Sequence, residues 1–379
     1  MSKKKVLFIF GTRPEAIKLV SVIHMFKSTN LFEIKVCSTG QHREMLNQVL
    51  RLFKIHPDFQ LSLMTSGQNI TDLTTKVLQD TKKIMEDYKP DLVIVQGDTT
   101  TAFASSLAAF YSGVKVAHVE AGLRTHDKFT PYPEEMNRML ITRIADFHFP
   151  PTPKAHSNLI KEGVNELAIS MTGNTGIDAL KMIMAILKED KYKHIESLRQ
   201  RLKFDEIQKE DKKIILVTSH RRENFGSGMS SIYKALQLIS EQEKVQIIFP
   251  VHLNPNVKEI MYDNLSHNNN ITLLNPLNYE EFIWVMNESY IILTDSGGIQ
   301  EEAPSLGKPV LVMRNSTERP EAVEVGTVKI VGADTGEIVS QVHELLHNND
   351  AYLKMARAIN PYGDGQAAKR IYNYLSEKL

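Results

Sequence analysis

The sequence has few of the features that would assign a chain to a class at once. Its 379 residues include one cysteine, Cys37, which excludes an internal disulfide, a redox-active cysteine pair and a multi-cysteine zinc site. Lys plus Arg and Asp plus Glu number 45 each, so no net positive charge is present to attract nucleic acid or an anionic membrane. We therefore expect no nucleic-acid or membrane partner, and any basic site must be local.

Long apolar runs are also missing. No stretch approaches the ~20 apolar residues that are needed to cross a bilayer. The apolar run Val6–Phe10, which follows the N-terminal lysines, is shorter than the apolar region of a secretory signal. These absences predict a cytoplasmic protein. Neither a Walker A sequence nor a complete dinucleotide fingerprint occurs, and we expect no cofactor and no metal site.

What the sequence does contain is a regular alternation of short apolar runs with segments of helical periodicity. Runs this rich in Val, Ile and Leu are typical of strands that are buried on both faces of a parallel sheet. We predict twelve such strands: Val6–Phe10, Ile34–Cys37, Leu92–Gln96, Lys115–Val119, Phe147–Phe149, Leu167–Met171, Ile214–Thr218, Val245–Val251, Ile271–Leu274, Tyr290–Thr294, Val310–Met313 and Val328–Val331. Strands that alternate with helices indicate two Rossmann-like, doubly wound α/β domains.

The boundary between the two domains is predicted from composition. Ile186–Lys213 is dense in Lys, Glu and Asp, and we interpret it as a solvated helical connection early in the second half. We therefore assign residues 1–174 to the first domain and 175–365 to the second. Pro361, Gly363 and Gly365 interrupt the final helical region, so the helix at 366–379 is predicted to pack away from the second domain.

Two loops that follow predicted strands have the chemistry of anion sites. Ligands of open α/β sheets bind outside the carboxyl ends of the strands. Gly11–Glu15 follows the first strand, Pro14 suits the first position of a helix, and Arg13 and Lys18 add positive charge. The alternative is a capped helix with two surface cations. Asp295–Glu302 offers Ser296, Gly297 and Gly298 to a phosphate and Glu302 to ribose hydroxyls, supported by Arg319 after the next strand. The alternative there is an ordinary turn.

Three acids in other loops after strands predict proton transfer. Asp98, Glu120 and Glu134 would repel a phosphate, whereas carboxylates that share a partly buried site acquire separated pKa values. The alternative is that Asp98 caps a helix through Thr99–Thr101 and that Glu134 pairs with Arg138. His220 lies beside arginines in a further loop after a strand, where it can bind a phosphate or move a proton near neutral pH.

Taken in order, these segments resemble the non-hydrolysing UDP-N-acetylglucosamine 2-epimerases over nearly the whole chain. The matching segments are Gly11–Lys18, Gly97–Thr101, His118–Arg124, Pro133–Arg138, His220–Asn224 and Asp295–Pro304. The resemblance implies a GT-B-like fold, with an active site in the cleft between two Rossmann-like domains and a C-terminal helix that returns to the first. It also implies an isomerase that converts UDP-GlcNAc to UDP-ManNAc reversibly, through elimination of UDP to 2-acetamidoglucal, for the supply of cell-surface polysaccharide precursors.

The resemblance also implies roles for individual residues. Asp98, Glu120, Glu134 and His220 match the catalytic set, and Arg13, Lys18 and Arg319 match the cationic contacts of the substrate. Leu277 and Phe282 would lie near the uracil, Glu302 on the ribose, and Ser296, Gly297 and Gly298 on the diphosphate. Gln41, His42 and Arg43 resemble part of a second, allosteric UDP-GlcNAc site, although the neighbouring loop has Ser66–Gln68 where some relatives carry an arginine.

Three other functions remain open from the sequence. A hydrolysing 2-epimerase would release ManNAc and UDP, a GT-B glycosyltransferase would need an acceptor pocket, and a nucleotide-sugar sensor would have no use for the three acids. The resemblance implies a homodimer, whereas the composition alone does not support one.

Overall fold

The computed structural model describes residues 3–40, 43–63, 69–189, 193–317 and 319–379. The chain divides into two compact units. Unit 1 comprises Met1–Lys181 and Tyr362–Leu379, and unit 2 comprises Met182–Pro361. The division falls inside helix Thr175–Glu189, a few residues after the predicted boundary at 174/175.

Unit 1 is built on a six-stranded sheet. The strands are β1 (Lys4–Phe10), β2 (Phe32–Ser38), β3 (Phe59–Gln60), β4 (Leu92–Gln96), β5 (Lys115–Val119) and β6 (Phe147–Phe149). They pair in the order β3-β2-β1-β4-β5-β6, and every pairing is parallel. This order is the one found in Rossmann folds.

Helices connect these strands. They are α1 (Arg13–Lys27), α2 (Arg43–Leu52), α3 (Ile70–Tyr88), α4 (Thr100–Tyr111), α5 (Glu134–Ile144), α6 (Pro153–Lys161) and α7 (Thr175–Glu189), which runs across the division of the two units. Between α6 and α7 lies a short 3-10 helix, Glu166–Ala168.

Unit 2 repeats this architecture. Its strands are β7 (Lys213–Thr218), β8 (Val245–Pro250), β9 (Ile271–Leu274), β10 (Ile291–Thr294), β11 (Val310–Val312) and β12 (Val328–Ile330), all parallel, in the order β12-β11-β10-β7-β8-β9. Renumbered from the first strand of the unit, this is again the Rossmann order. The two doubly wound sheets that the sequence predicts, and the GT-B-like class, are therefore confirmed.

The helices of unit 2 follow the same alternation. They are α8 (Glu196–Arg201), α9 (Phe204–Lys209), α10 (Ser227–Gln242), α11 (Pro255–Leu265), α12 (Tyr279–Glu288), α13 (Gly297–Glu302), α14 (Pro320–Glu324), α15 (Thr335–His347) and α16 (Asn349–Ala356). Short 3-10 helices lie at Lys193–Ile195, Arg222–Asn224 and Ala303–Leu306.

The cores explain why the strands read as continuous apolar runs. The five residues Val6–Phe10 of β1 are fully buried, as are Leu92–Val95 of β4. In unit 2, Ile215, Leu216 and Val217 of β7 are buried in the same way. Helices cover both faces of a doubly wound sheet, so a central strand has no polar side.

Two details of the sequence interpretation are wrong. In the predicted strand Leu167–Met171, the first two residues belong to the 3-10 helix Glu166–Ala168, Ile169 makes one isolated bridge with His148, and Leu167 is 75% exposed. The segment does lie beside β6, because the N–H groups of Ser170 and Thr172 donate to His148 O and Pro150 O, but its first residues are taken up by the 3-10 helix that Asn165 caps. The strand β3 was missed because it is only two residues long.

The described residues of the charged segment Ile186–Lys213, which are 186–189 and 193–213, are mostly helical, as predicted, but one side of them is packed. Ile195, Leu198, Phe204 and Ile207 are buried. The ring of Phe204 lies 4.8 Å from that of Trp284 on α12. The segment is therefore an amphipathic layer of unit 2 rather than a fully solvated connection.

The C-terminal helix α17 (Ala367–Lys378) belongs to unit 1 and packs on α1. Tyr372 makes an edge-to-face contact with Phe26, with ring centroids 5.3 Å apart. The carboxylate of Asp178 accepts hydrogen bonds from the N–H groups of Ala367 (3.2 Å) and Ala368 (3.0 Å). Because helix N-termini carry unsatisfied donors, Asp178 anchors the start of α17 to α7. Among the described residues, no helix is long and apolar enough to cross a membrane.

Candidate active site

The strand order of each unit indicates where a ligand binds. In doubly wound sheets the binding crevice lies at the carboxyl ends of the strands where the order reverses. In unit 1 that point lies between β1 and β4, and in unit 2 between β7 and β10. Four of the polar segments singled out from the sequence, at Gly11–Glu15, Asp98, His220 and Asp295–Glu302, follow these four strands, whereas Glu120 follows the neighbouring strand β5 and Arg319 follows β11.

The loop after β1 is held in place by a buried carboxylate. Glu15 Oε2 accepts hydrogen bonds from the N–H groups of Gly11 (3.1 Å) and Thr12 (2.7 Å), and Oε1 accepts one from the hydroxyl of Thr99 (2.7 Å) after β4. Thr12 caps α1, and Pro14 is its second residue, one position later than predicted. A side chain at Gly11 would place its Cβ 2.4 Å from Thr39 Oγ1 and 2.5 Å from Thr101 Oγ1, so only glycine fits. Glu15 thus ties together the two loops at the switch point.

Lys18 and Glu120 form an ion pair across this point. Lys18 Nζ contacts Glu120 Oε2, and Gln96 Nε2 donates to the same oxygen at 2.7 Å. Glu120 has φ +66°, a left-handed conformation that costs a non-glycine residue free energy. A carboxylate held in strained backbone between two donors is typical of a functional position. Arg13 begins α1 and is half-buried.

Asp98 is bound by the helix α5. Its Oδ2 lies 2.8 Å from Arg138 Nη2, and its backbone oxygen accepts a hydrogen bond from Asn137 Nδ2 at 2.9 Å. The N-cap of α4 is Thr99, whose hydroxyl accepts from Ala102 N at 3.0 Å. The alternative reading of Asp98 as a helix cap is therefore wrong.

Glu134 is aimed at the same space as Asp98. Both line one pocket of unit 1, of about 320 Å³, together with Thr12, Thr99 and Asn137. Among the described residues, the buried Oε2 of Glu134 has no hydrogen-bond partner. The side chain of Arg138 pairs with Asp98 and Glu135, and reaches Glu134 only through the backbone oxygen, at 3.3 Å. A buried carboxylate oxygen without a partner is rare in proteins and indicates a ligand-facing position.

The pKa of Asp98 is affected by both of the other acids. Burial raises the pKa of the Asp98 carboxyl to about 6. The positive charges of Arg138 and Lys18 oppose this rise, whereas the negative charges of Glu120 and Glu134 add to it. An acid with a pKa near neutrality, beside two further carboxylates, is suited to gain and lose a proton at physiological pH.

Sequence reasoning missed the residues that support the acids. Arg138 was considered only as a partner of Glu134, and Gln96 and Glu15 were not assigned a role. Their signals were present, because Gln96 ends a strand that is otherwise Val, Leu and Ile, and Glu15 stands three residues after Thr12 in a capping box. Arg124, by contrast, has a structural role, since it makes a two-point pair with Glu162 at 2.6 and 2.8 Å.

In unit 2 the buried Asp295, which directly follows β10, organises the loop after β7. Its Oδ2 accepts from the N–H groups of His220 (2.8 Å) and Arg221 (2.9 Å) and from the side chains of Ser219 (3.0 Å) and Asn224 (3.2 Å). His220 Nδ1 lies 3.2 Å from Asp295 Oδ1. Although burial opposes it, these donors lower the pKa of Asp295, which is thus held as a carboxylate.

His220 is oriented by this carboxylate and stacks on a second histidine. The ring centroids of His220 and His252 are 5.6 Å apart. Burial lowers the pKa of His252, and the neighbouring His220 lowers it further. With Nδ1 facing this carboxylate, the ring presents Nε2 on its other side, and an imidazolium donates from that nitrogen to an anionic ligand.

The other predicted binding residues of unit 2 lie after β9, β10 and β11. Ser296 is the N-cap of α13, which begins at Gly297 and Gly298 and ends at Glu302. Arg319, at the start of α14, donates through Nε to Glu301. Leu277 is buried directly before α12, and Phe282 lies half-buried on that helix.

Gln41 and His42 of the predicted allosteric site lie outside the described residues, and α2 begins at Arg43.

The expectation of no metal site overlooked His343-Glu-Leu-Leu-His347, an HExxH sequence. Glu243 joins these two histidines in a cluster whose ligand atoms all lie within 4.8 Å of one another, and the expectation of no metal site stays a prediction.

Comparison with known proteins places these features in one family. A profile of the family described as UDP-N-acetylglucosamine 2-epimerase matches residues 24–376. The UDP-N-acetylglucosamine 2-epimerase of Escherichia coli K12 is 52% identical over 98% of this chain and 98% of its own, and that of Campylobacter jejuni is 51% identical over 98% and 97%. The crystal structure of UDP-GlcNAc 2-epimerase from Neisseria meningitidis bound to UDP-GlcNAc has a TM-score of 0.88 and 46% identity, covering 98% of this chain and all of that one.

Proposed function

The chain belongs to the UDP-N-acetylglucosamine 2-epimerase family, and from this premise we propose that it interconverts UDP-GlcNAc and UDP-ManNAc without releasing the sugar from UDP. The Neisseria meningitidis relative was solved bound to UDP-GlcNAc, which supports a nucleotide sugar as the substrate. The observation that carries the proposed mechanism is the group of three acids at the switch point of unit 1.

The reaction explains why several carboxylates are needed. The C2 proton of the sugar has no adjacent carbonyl and is therefore too weakly acidic for direct removal. In the proposed elimination a carboxylate takes this proton, the C2–H electron pair forms the C1=C2 double bond of 2-acetamidoglucal, and UDP leaves with the C1–O pair. In the return step UDP bonds to C1 again, and an acid delivers a proton to the opposite face of C2. The stereochemistry of C2 is thereby inverted, and no atom is lost.

We assign the proton transfers to Asp98 and Glu120. With its pKa raised to about 6, Asp98 is mostly ionised at pH 7 yet far more basic than an ordinary aspartate. Glu120 is ion-paired to Lys18, so the two proton carriers differ in environment. Glu134 lines the pocket beside Asp98 and has a buried oxygen without a partner among the described residues, and we assign it the role of supporting acid or base.

Unit 2 is proposed to bind the nucleotide. Backbone donors of Ser296, Gly297 and Gly298 would hold the diphosphate, with His220 steadying the charge that develops as UDP departs. Asp295 supports this role because it fixes the imidazole through Nδ1. Glu302 would bind the ribose, and Leu277 and Phe282 would lie against the uracil. Arg319 and, in unit 1, Arg13 would supply the remaining positive charge.

One experiment separates the candidate functions. The protein is incubated with UDP-GlcNAc in D2O and followed by proton NMR. Epimerisation predicts deuterium at C2 of both UDP-GlcNAc and UDP-ManNAc, with all sugar still attached to UDP. Free ManNAc would instead identify a hydrolysing enzyme. Substrate that stays unchanged would indicate a glycosyltransferase awaiting an acceptor, and broadened lines without turnover a sensor.

We further propose that the protein acts as a homodimer in the cytoplasm, where UDP-GlcNAc is available, and feeds cell-surface polysaccharide synthesis. Light scattering after gel filtration tests the dimer, since a monomer would elute with a mass of 43.0 kDa. A second UDP-GlcNAc site at Gln41, His42 and Arg43 remains a hypothesis. It predicts that the rate of UDP-ManNAc conversion rises when UDP-GlcNAc is added, and that Arg43→Ala removes the rise.

A further inference from the structure

A cluster of two histidines and one glutamate lies in unit 2, on elements that the proposed reaction does not use. Glu243 directly follows α10, and His343 and His347 lie at the end of α15. His343 Nδ1 is 2.6 Å from Glu243 Oε1, and His347 Nε2 is 2.8 Å from Glu243 Oε2. One ligand atom from each of the three residues lies within 4.8 Å of the other two.

The sequence of α15 explains why the two imidazoles meet. Residues four apart lie on the same face of a helix, so His343 and His347 stand one turn apart, with ring centroids 4.4 Å from each other. Ile338, Val342 and Leu345 occupy the other face and are buried in the core of unit 2. The histidine side chains are therefore 63% and 58% exposed, whereas that of Glu243 is 11% exposed and fixed.

We propose that Glu243, His343 and His347 bind a divalent transition-metal ion, Zn²⁺ above all. Two imidazole nitrogens and one carboxylate oxygen are a zinc ligand set, and the exposure of the cluster leaves a fourth position for water. A site with two imidazole ligands selects against Mg²⁺ and Ca²⁺, because these ions prefer ligands that are all oxygen atoms. The present spacing is that of hydrogen bonds, so binding a metal requires only small rotations of exposed side chains.

The backbone around the cluster also favours a cation. Helix C-termini carry partial negative charge, and the cluster lies at the C-terminal ends of both α10 and α15. Lys213 already places its ammonium on this end of α15, donating to Leu346 O at 3.0 Å. A bound ion would add a fixed positive charge directly between the two helix ends.

The acid of the HExxH sequence indicates what kind of site this is. In metallopeptidases with this sequence the glutamate acts as the general base. Here Glu344 Oε1 instead accepts a hydrogen bond from Asn348 Nδ2 at 2.7 Å, within the C-terminal cap of the helix. We therefore assign the ion a stabilising role, in which it clips together residues 100 and 104 positions apart in the sequence.

The test uses the untagged full-length chain and ZnCl2. Isothermal titration after treatment with a chelator should show one Zn²⁺ bound per chain, and the melting temperature should rise by a few degrees because the ion binds only the folded state. MgCl2 at the same concentration should cause no shift. Co²⁺ should give the visible absorption bands of a four-coordinate site.

Variants decide whether the ion binds at this cluster. His347→Gln and Glu243→Gln should each abolish the one-to-one binding and the thermal shift, while His56→Gln, which changes an exposed histidine of unit 1, should retain both. The circular dichroism of each metal-free variant establishes that it is folded. Absence of Zn²⁺ binding in the wild-type protein, or equal binding by folded His347→Gln and Glu243→Gln, would overturn the proposal.

Discussion

Arg138 and Asp98 form the ion pair that links helix α5 to the loop after β4, with Nη2 and Oδ2 2.8 Å apart. The same guanidinium lies 3.5 Å from Glu135, which is fully buried and accepts hydrogen bonds from the N–H groups of Thr125 and His126. Arg138 thus neutralises one structural carboxylate and one carboxylate that faces the pocket. It is a positioning residue, and it counteracts the rise in the pKa of Asp98 that burial causes.

Replacing Arg138 with glutamine should shift the pH dependence of the reaction. Without the positive charge the pKa of Asp98 rises above its present value of about 6, so the base is protonated at a higher pH. The acid limb of the kcat/KM profile should therefore move to higher pH, by about one unit. The measurement is the rate of UDP-ManNAc formation between about pH 5 and 9.

Arg143→Gln is the matched control, because Arg143 is an exposed arginine on the same helix and donates to Glu162 O. Its acid limb should coincide with that of the wild type. If both variants leave the limb unmoved, Asp98 is not the group whose protonation limits the rate.

The fold was predictable from the sequence because its strands are buried on both faces. Runs such as Leu92–Gln96 are almost entirely apolar and show no helical periodicity, and the structure has this strand with the predicted bounds. The segment Leu167–Met171 shows the limit of this reasoning, because apolar composition alone does not reveal that its first residues form a 3-10 helix and that only Ile169 bridges the neighbouring strand β6.

The candidate site was predictable in its acids but not in their partners. Parallel strands bring their carboxyl ends together, so loops after strands are expected to converge. Which cation meets which acid depends on the angle of α5, and the sequence separation of four pointed to Glu134 as the partner of Arg138. The structure pairs Arg138 with Asp98, 40 residues away in the sequence, and leaves a buried oxygen of the pocket residue Glu134 without a partner among the described residues.

Asp98→Asn should separate activity from stability. The pKa of Asp98 in the folded protein lies above the value of about 3.9 for an exposed aspartate, so the folded state binds more protons than the unfolded state between these values. The ionised carboxylate therefore lowers the free energy of unfolding at pH 7. We expect kcat to fall at least about 100-fold, as for loss of a general base, with a free energy of unfolding no lower than that of the wild type. Steady-state kinetics and urea unfolding measure the two quantities.

Asp87→Asn, which alters an exposed acid of the same unit, should leave kcat and stability unchanged. UDP should still bind to Asp98→Asn in a calorimetric titration. An Asp98→Asn enzyme with normal turnover would remove Asp98 from the mechanism.

At position 120 a glycine variant should be more stable than an alanine variant, which is the reverse of the usual order. The φ of +66° at Glu120 is accessible to glycine without cost, whereas any side chain with a Cβ pays about 1 kcal/mol or more there. Glu120→Gly should therefore have a free energy of unfolding about 1 kcal/mol higher than that of Glu120→Ala. Both should be inactive if Glu120 carries a proton.

The same pair of substitutions at Glu33, an exposed position within β2, should show the ordinary order, with alanine more stable. Equal stability of Glu120→Gly and Glu120→Ala in urea unfolding would mean that the backbone at 120 relaxes out of the left-handed region.

His118 should make unit 1 sensitive to acid. Its Nε2 lies 2.7 Å from Gly97 O in a fully buried setting, and burial lowers its pKa to about 3. In the unfolded chain the imidazole of His118 binds a proton below about pH 6.5. In the folded protein the same imidazole stays neutral down to about pH 3. The stability that His118 contributes is therefore fully present above pH 6.5 and is lost as the pH falls towards 3, with a slope of about 1.4 kcal/mol per pH unit.

His118→Gln removes this titration, so the difference in unfolding free energy between the wild type and the variant should shrink by about 1.4 kcal/mol per unit between pH 6 and 4. Urea unfolding of both proteins across this range measures the slope. Because Asp98 titrates in both proteins, its opposite contribution cancels in the difference. His56→Gln, a change at an exposed histidine of the same unit, tests whether the substitution type alone alters the slope. If the difference in unfolding free energy between the wild type and His118→Gln does not change with pH, the imidazole is protonated in the folded state over this range. That result would contradict a neutral His118 that donates to Gly97 O.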